Sequence, residues 1–123
     1  MRLTLKPDRR GCYFTPGTIN GHPVTFLIDT GATVVGIPNT VAHRLDLKYT
    51  GKRNWVLDPF RRVKAPIAHI DEIAFGPFSF KHGSAMTYPI SSGDETILIG
   101  MDLLKNINFV HGNGMMVMWL PDS

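Results

Sequence analysis

The sequence predicts a mostly β domain with one or two short helices. Its 12 glycines and 9 prolines fall in clusters that punctuate the chain about every eight to twelve residues, the rhythm of short strands and tight turns. Apolar runs such as Val24–Ile28, Ile97–Ile99 and Met115–Leu120 lie between those breaks and read as strands. Asn20-Gly21, set between alternating segments, is a strong signal for a two-residue hairpin turn.

In chain order, the segment from Tyr13 leads through Asn20-Gly21 into the apolar strand ending at Ile28. After Pro38, Asn39-Thr40 are placed to cap a short helix over Val41–Leu45, whose apolar positions have helical spacing. Lys52–Val56 and Arg61–Ala65 form the arms of a candidate hairpin with Leu57-Asp58-Pro59-Phe60 as its turn. Gly76-Pro77 separates Ile70–Phe75 from Phe78–Lys81 as a further hairpin. A second helix is expected from Met101 to Lys105. His111-Gly112-Asn113-Gly114 precedes the last strand, Met115–Leu120, whose clustered methionines suit core or subunit-interface packing.

At 123 residues the chain fits one domain with a modest core and is short for an enzyme with two lobes around a cleft. No repeat, linker or shift in composition marks a second domain; residues 1–10 read as an N-terminal extension and 11–123 as the domain. The net charge of +3 falls well short of a dedicated nucleic-acid binder. One cysteine, Cys12, excludes an intrachain disulfide and slightly favours a reducing compartment such as the cytoplasm. Five scattered histidines give no metal-ligand spacing, so neither a metal nor another cofactor is expected. Met1–Asp8 lacks the apolar core of a signal peptide, and no stretch has the ~20 apolar residues of a membrane span. The segment is expected to be soluble, without membrane contact of its own; a membrane-anchored full-length form is compatible with it.

The chemistry centres on Asp29-Thr30-Gly31-Ala32, launched from Val24–Ile28. A carboxylate at the end of a buried strand is costly unless it is used. Its bland reading is a turn in which Asp29 bonds its own backbone. Its functional reading is half of an acid–base pair, since hydrolysing an amide with carboxylates alone takes two, one to activate water and one to polarise the carbonyl. Only one such site exists, so the other half must come from a second copy. Ile97-Leu98-Ile99-Gly100-Met101-Asp102-Leu103-Leu104 adds an apolar strand, a glycine that permits close backbone approach, and an amphipathic turn with Asp102 where it favours the helix dipole.

Together these two motifs, about seventy residues apart, resemble those of the retropepsin-like aspartic proteases, with the match closest to bacterial single-domain members. The opening Tyr13-Phe14-Thr15 through Val24 is similar to that family's first hairpin, and the resemblance spans about residues 11–120. It implies a retropepsin-like closed β-barrel or sheet, assembled as a two-fold homodimer that cleaves peptide or protein substrates. By resemblance the catalytic residues are Asp29, Thr30 and Gly31, with Thr30 reaching across the axis to the partner's loop. Ala32 lines the floor, and a flap near residues 52–66 covers the substrate with Trp55, Leu57 and Phe60. Ile99, together with Ile28, Ile67 and Ile90, is expected to wall an apolar cleft, and the chain termini are expected to interleave across the dimer.

The flap departs from its relatives. No glycine lies between Gly51 and Gly76, and Asp58-Pro59 makes a stiffer turn than glycine would. The same hairpin holds Lys52, Arg53, Arg61, Arg62 and Lys64 beside Trp55 and Phe60. Such a run usually forms the charged face of an edge hairpin, and nucleic-acid binding by phosphate contact and stacking is disfavoured against it. Two alternatives to the protease therefore stand: a non-catalytic dimeric peptide- or protein-binding module of the same fold, and a nucleic-acid-associated protein using the basic hairpin.

Overall fold

A computed structural model describes residues 1–57, 62–90 and 92–121, with the backbone alone at 53–57, 62–64 and 82. Among these residues the elements are β1 (Arg2–Leu5), β2 (Tyr13–Ile19), β3 (His22–Ile28), β4 (Gly36–Pro38), α1 (Asn39–Arg44), β5 (Lys48–Leu57), β6 (Arg62–Phe75), β7 (Phe78–Tyr88), β8 (Ile97–Ile99), α2 (Met101–Leu104), β9 (Asn108–Gly112) and β10 (Met115–Trp119). The fold is mostly β with two short helices, as the punctuation by glycine and proline predicts.

Strands β2, β3, β8, β4, β7 and β6 pair in that order, and β2 returns to β6 through Thr18↔Ala74 and Ile19↔Ile73. Six strands thus close into a barrel, which removes the free edges of an open sheet. Strand β5 pairs with the part of β6 that β2 leaves uncovered. The pairings β3–β8 and β4–β7 are parallel.

Local chemistry explains the turns. Asn20 and Gly21 have φ of 51° and 81°, the left-handed pair that a type I′ hairpin demands, and Ile19↔His22 closes the β2–β3 hairpin around them. Asn20 does more than turn the chain. Its Oδ1 accepts the N–H groups of Asp71 (2.9 Å) and Glu72 (3.0 Å), and its own N–H donates to the Glu72 carbonyl (2.8 Å), fastening the hairpin tip onto β6 where the barrel closes.

Alternation along the strands sends Tyr13, Thr15 and Ile19 of β2, and Phe26 and Ile28 of β3, inward. Phe75 sits among Phe26, Phe78 and Phe80, with ring centroids 5.7, 5.4 and 6.3 Å away. Burying each such ring contributes roughly 1.5–3 kcal/mol, and aromatic pairing adds about 0.5–1.5. Met116 and Met118 complete the core beneath the second sheet, which has the order β1-β10-β9. Part of the segment read as an N-terminal extension, Arg2–Leu5, is thus a strand paired with β10.

Three local expectations change. Helix α1 starts at Asn39 rather than after an Asn39-Thr40 cap: the buried Pro38 that ends β4 is its N-cap residue, and no side chain caps it. The chain already enters helical geometry where β4 stops. The arms of the 52–66 hairpin are parts of longer strands, for β6 runs unbroken through Pro66 to Phe75. Pro66 is tolerated because it pairs with Arg53, beside the register shift between Tyr49 and Arg53. Leu57 lies in β5, paired with Arg62, rather than in the turn; the rest of the expected turn, including Asp58, Pro59 and Phe60, lies outside the described residues. Finally, Met115–Trp119 is the central strand of its sheet, so both of its edges are already occupied within the chain.

Candidate active site

The two sequence motifs meet. Strand β3 lies parallel to β8 in the register Phe26↔Ile97, Leu27↔Leu98 and Ile28↔Ile99, and Asp29 extends it by donating its N–H to the Ile99 carbonyl at 2.9 Å. Past this point the chain turns. The Asp29 carbonyl accepts the Ala32 N–H (3.1 Å), while one carboxylate oxygen, Oδ1, accepts the Gly31 N–H at 3.0 Å. The turn that any Asp-Thr-Gly can make is therefore present. Its consequence is chemical, because it fixes the direction of the carboxylate and leaves Oδ2 with no hydrogen bond among the described residues.

Helix α2 anchors the far side of the loop. Met101 and Asp102 donate their N–H groups to the carbonyls of Ala32 (2.8 Å) and Thr33 (3.1 Å). The Asp102 carboxylate accepts Val35 N–H at 3.2 Å through Oδ2 and Leu103 N–H at 2.9 Å through Oδ1. Dipole arguments from sequence found Asp102 in the first turn of α2 but missed its bond to Val35. Between helix and loop, Gly100 passes so close to Val34 that a Cβ would lie 2.6 Å from the Val34 carbonyl oxygen. This is the close approach that the glycine in the second motif permits.

Asp29 is half-buried and Thr30 exposed. Both line a groove of about 720 Å³ with Leu27, Met101, Phe109 and His111. Among the described residues a Cβ on Gly31 would meet only Asp29 Oδ1, at 3.3 Å. Ala32 is half-buried beside them. Ile99 lies elsewhere: its side chain is fully buried in the core, and Leu98 is the β8 residue that is half-exposed. Ile28 is likewise in the core. Trp55 and Leu57 lie on β5, while Phe60 falls outside the described residues.

A separate groove of about 620 Å³ runs past Phe14, Pro16 and Val24 to the Arg44–Glu95 ion pair (3.1 Å). Both partners of that pair are about half exposed, so it contributes little and brings no reactive group. Among the described residues no cluster of three or more His, Cys, Asp or Glu is placed to hold a metal, and no helix is long and apolar enough to cross a membrane.

A family model described as "gag-polyprotein putative aspartyl protease" matches residues 15–106, a span that holds both motifs. The chain belongs to that family. Solved structures agree on its retropepsin-like fold. A retropepsin-like aspartic protease from Rickettsia conorii superposes with a TM-score of 0.77 at 21% identity, over 96% of this chain and 89% of the other. For the EIAV protease complexed with the inhibitor HBY-793 the values are 0.58 and 22%, over 75% and 84%. The foamy viral protease-reverse transcriptase in complex with an RNA/DNA hybrid gives 0.56 and 12%, over 75% of this chain and 11% of that one. Among curated proteins nothing matches significantly.

Proposed function

We propose that this aspartyl protease family member is an active endopeptidase whose catalytic centre is a pair of Asp29 carboxylates contributed by two copies of the chain. One observation carries the reading. The Asp29 carboxylate is held by the Gly31 N–H at 3.0 Å, on a loop fastened to α2, and it faces a groove with one oxygen that no described residue bonds.

Two such carboxylates facing each other across a two-fold axis cannot both ionise cheaply, so the pair holds one proton. The ionised member takes a proton from a bridging water, whose oxygen attacks the scissile carbonyl. The protonated member hydrogen-bonds the developing oxyanion. As the tetrahedral intermediate collapses, the C–N bond breaks and the leaving nitrogen takes a proton from the dyad. No covalent enzyme intermediate forms.

Neighbouring residues take supporting roles in this proposal. Gly31 orients the carboxylate and leaves space for the opposite subunit, and exposed Thr30 reaches the partner's loop. Ala32, Leu27 and Leu98 contribute apolar floor and wall, and Ile99 supports Asp29 through its carbonyl. The distal β5–β6 hairpin acts as the flap over an extended peptide, bringing Trp55, Leu57 and Phe60 to the substrate.

The test is a peptide library offered to wild type and to Asp29→Asn. Cleavage is expected to fall by at least about 100-fold, the scale of a lost acid–base group, with circular dichroism and association state unchanged. Peptide binding by the wild type without cleavage would replace this reading with a non-catalytic binding module.

A further inference from the structure

The chain between β1 and β2 contains a closed turn rather than a loose link. The Gly11 N–H donates to the Asp8 carbonyl at 3.1 Å, and the Asp8 N–H to the Cys12 carbonyl at 2.8 Å. Asp in the first position and Gly in the last are the residues such a turn favours, and Gly11 takes the left-handed φ of 84°. The Asp8 carboxylate braces the tip from within, for its Oδ1 accepts the N–H groups of Arg10 and Cys12, both at 2.9 Å. These bonds fix the backbone of the two residues at the tip, Arg9 and Arg10.

Two positive charges are thus displayed at a fixed place. Arg9 and Arg10 are exposed. Among the described residues neither has an ion-pair partner, and Arg10 has only the through-space attraction of Asp8. The next two residues, Gly11 and Cys12, line the groove that Asp29 faces, and Asp29 is the only acidic side chain among the described residues that line it. Keeping a surface turn solvated asks for a polar side chain of either sign, whereas two guanidiniums at the mouth of a groove favour one sign of ligand.

We propose that this turn selects the substrate: Arg9 and Arg10 favour peptides that carry acidic residues on one side of the scissile bond. The inference rests on the protease reading above and names a substrate class for it. A peptide lying in the groove passes Gly11 and Cys12, where flanking Glu or Asp side chains come beside guanidiniums, whose planar donors match a carboxylate. Because Asp8 and the backbone already hold the tip, its main chain need not be ordered when peptide binds, which lowers the cost of the contact. The charges are exposed, so the preference is modest, and they lie away from the scissile bond, so it acts on KM more than on kcat.

Peptides identical at the cut and differing only in a flanking Glu-Glu or Gln-Gln pair, set on either side of it, test the proposal. Wild type is expected to show a kcat/KM about three- to tenfold higher for the Glu peptide, with the pair on one side of the cut, and to lose that advantage as salt is raised. Replacing both arginines by Gln is expected to erase the ratio, and Arg9→Glu with Arg10→Glu to invert it, with circular dichroism unchanged. A wild type that cleaves both peptides equally would overturn the proposal and leave the dyad standing. So would a preference that survives the reversal, which then belongs to the basic residues of the 52–66 hairpin. A labelled oligonucleotide held more tightly than the Glu peptide would overturn it in favour of a nucleic-acid contact. If wild type cleaves neither peptide, the ratio is read from dissociation constants of fluorescent peptides: a Glu preference lost on reversal keeps the turn while the dyad falls, and equal binding removes both.

Discussion

At the scale of single residues, the side chains that matter most for geometry are acidic and do different work. Asp29 has a carboxylate oxygen with no hydrogen bond among the described residues and faces a groove, whereas Asp102 has committed both oxygens to backbone N–H groups, one of them on Val35, far away in sequence. The unused group suits chemistry and the committed one suits scaffolding. Exposed loop carboxylates follow the scaffolding pattern: the N–H of Thr96 holds Asp94 below its ordinary value of 3.8, and the N–H groups of Cys12 and Arg10 do the same for Asp8. Asp102→Ala leaves the N–H of buried Val35 without its partner, and an orphaned donor costs about 1–3 kcal/mol. Urea unfolding is therefore expected to show a loss of that size, with faster hydrogen exchange at Val35. An unchanged midpoint would mean that water replaces the carboxylate without cost.

Elements show what the sequence made legible and what it hid. The hairpin at Asn20-Gly21, the strand before Asp29 and the strand–glycine–turn ending in α2 were all readable, because each is encoded by neighbours in the chain. Contacts between elements were not. Nothing near Asn20 announces that its Oδ1 will bridge to Asp71 and Glu72 and lock the barrel seam, and nothing near Arg2 announces its pairing with Trp119. Ile99, expected to wall the cleft, is in the core instead: all three residues of β8 are apolar, so composition does not say which of them points inward. The register with β3 decides it, and register is non-local. Asn20→Gly separates the two roles of Asn20, since glycine keeps the left-handed turn and deletes the bridge. A loss of about 1–2 kcal/mol is expected in equilibrium unfolding, with the amides of Asp71 and Glu72 losing protection. A stability equal to wild type would show that the β2–β6 backbone pairs close the barrel unaided.

For the molecule as a whole, the proposed dyad imposes one demand: two copies of the chain must meet before either Asp29 can work. The barrel places the Asp29 carboxylate at the rim of a groove, so in the proposed dimer catalysis and association become one equilibrium. Dilution alone is an ambiguous test, because small proteins also adsorb and unfold at low concentration. Mixing is sharper. When Asp29→Asn protein is added in equal amount to wild type and the subunits exchange, half of the wild-type chains become trapped with a disabled partner. Activity per wild-type chain is then expected to fall to about half, and to about a quarter when the variant is in threefold excess, as random pairing of a symmetric dimer requires. A site complete within one chain would be indifferent to the added variant. Steady-state cleavage measured after prolonged co-incubation distinguishes these outcomes, and activity that stays constant per wild-type chain while mixed dimers are detected by mass would rule out the shared dyad.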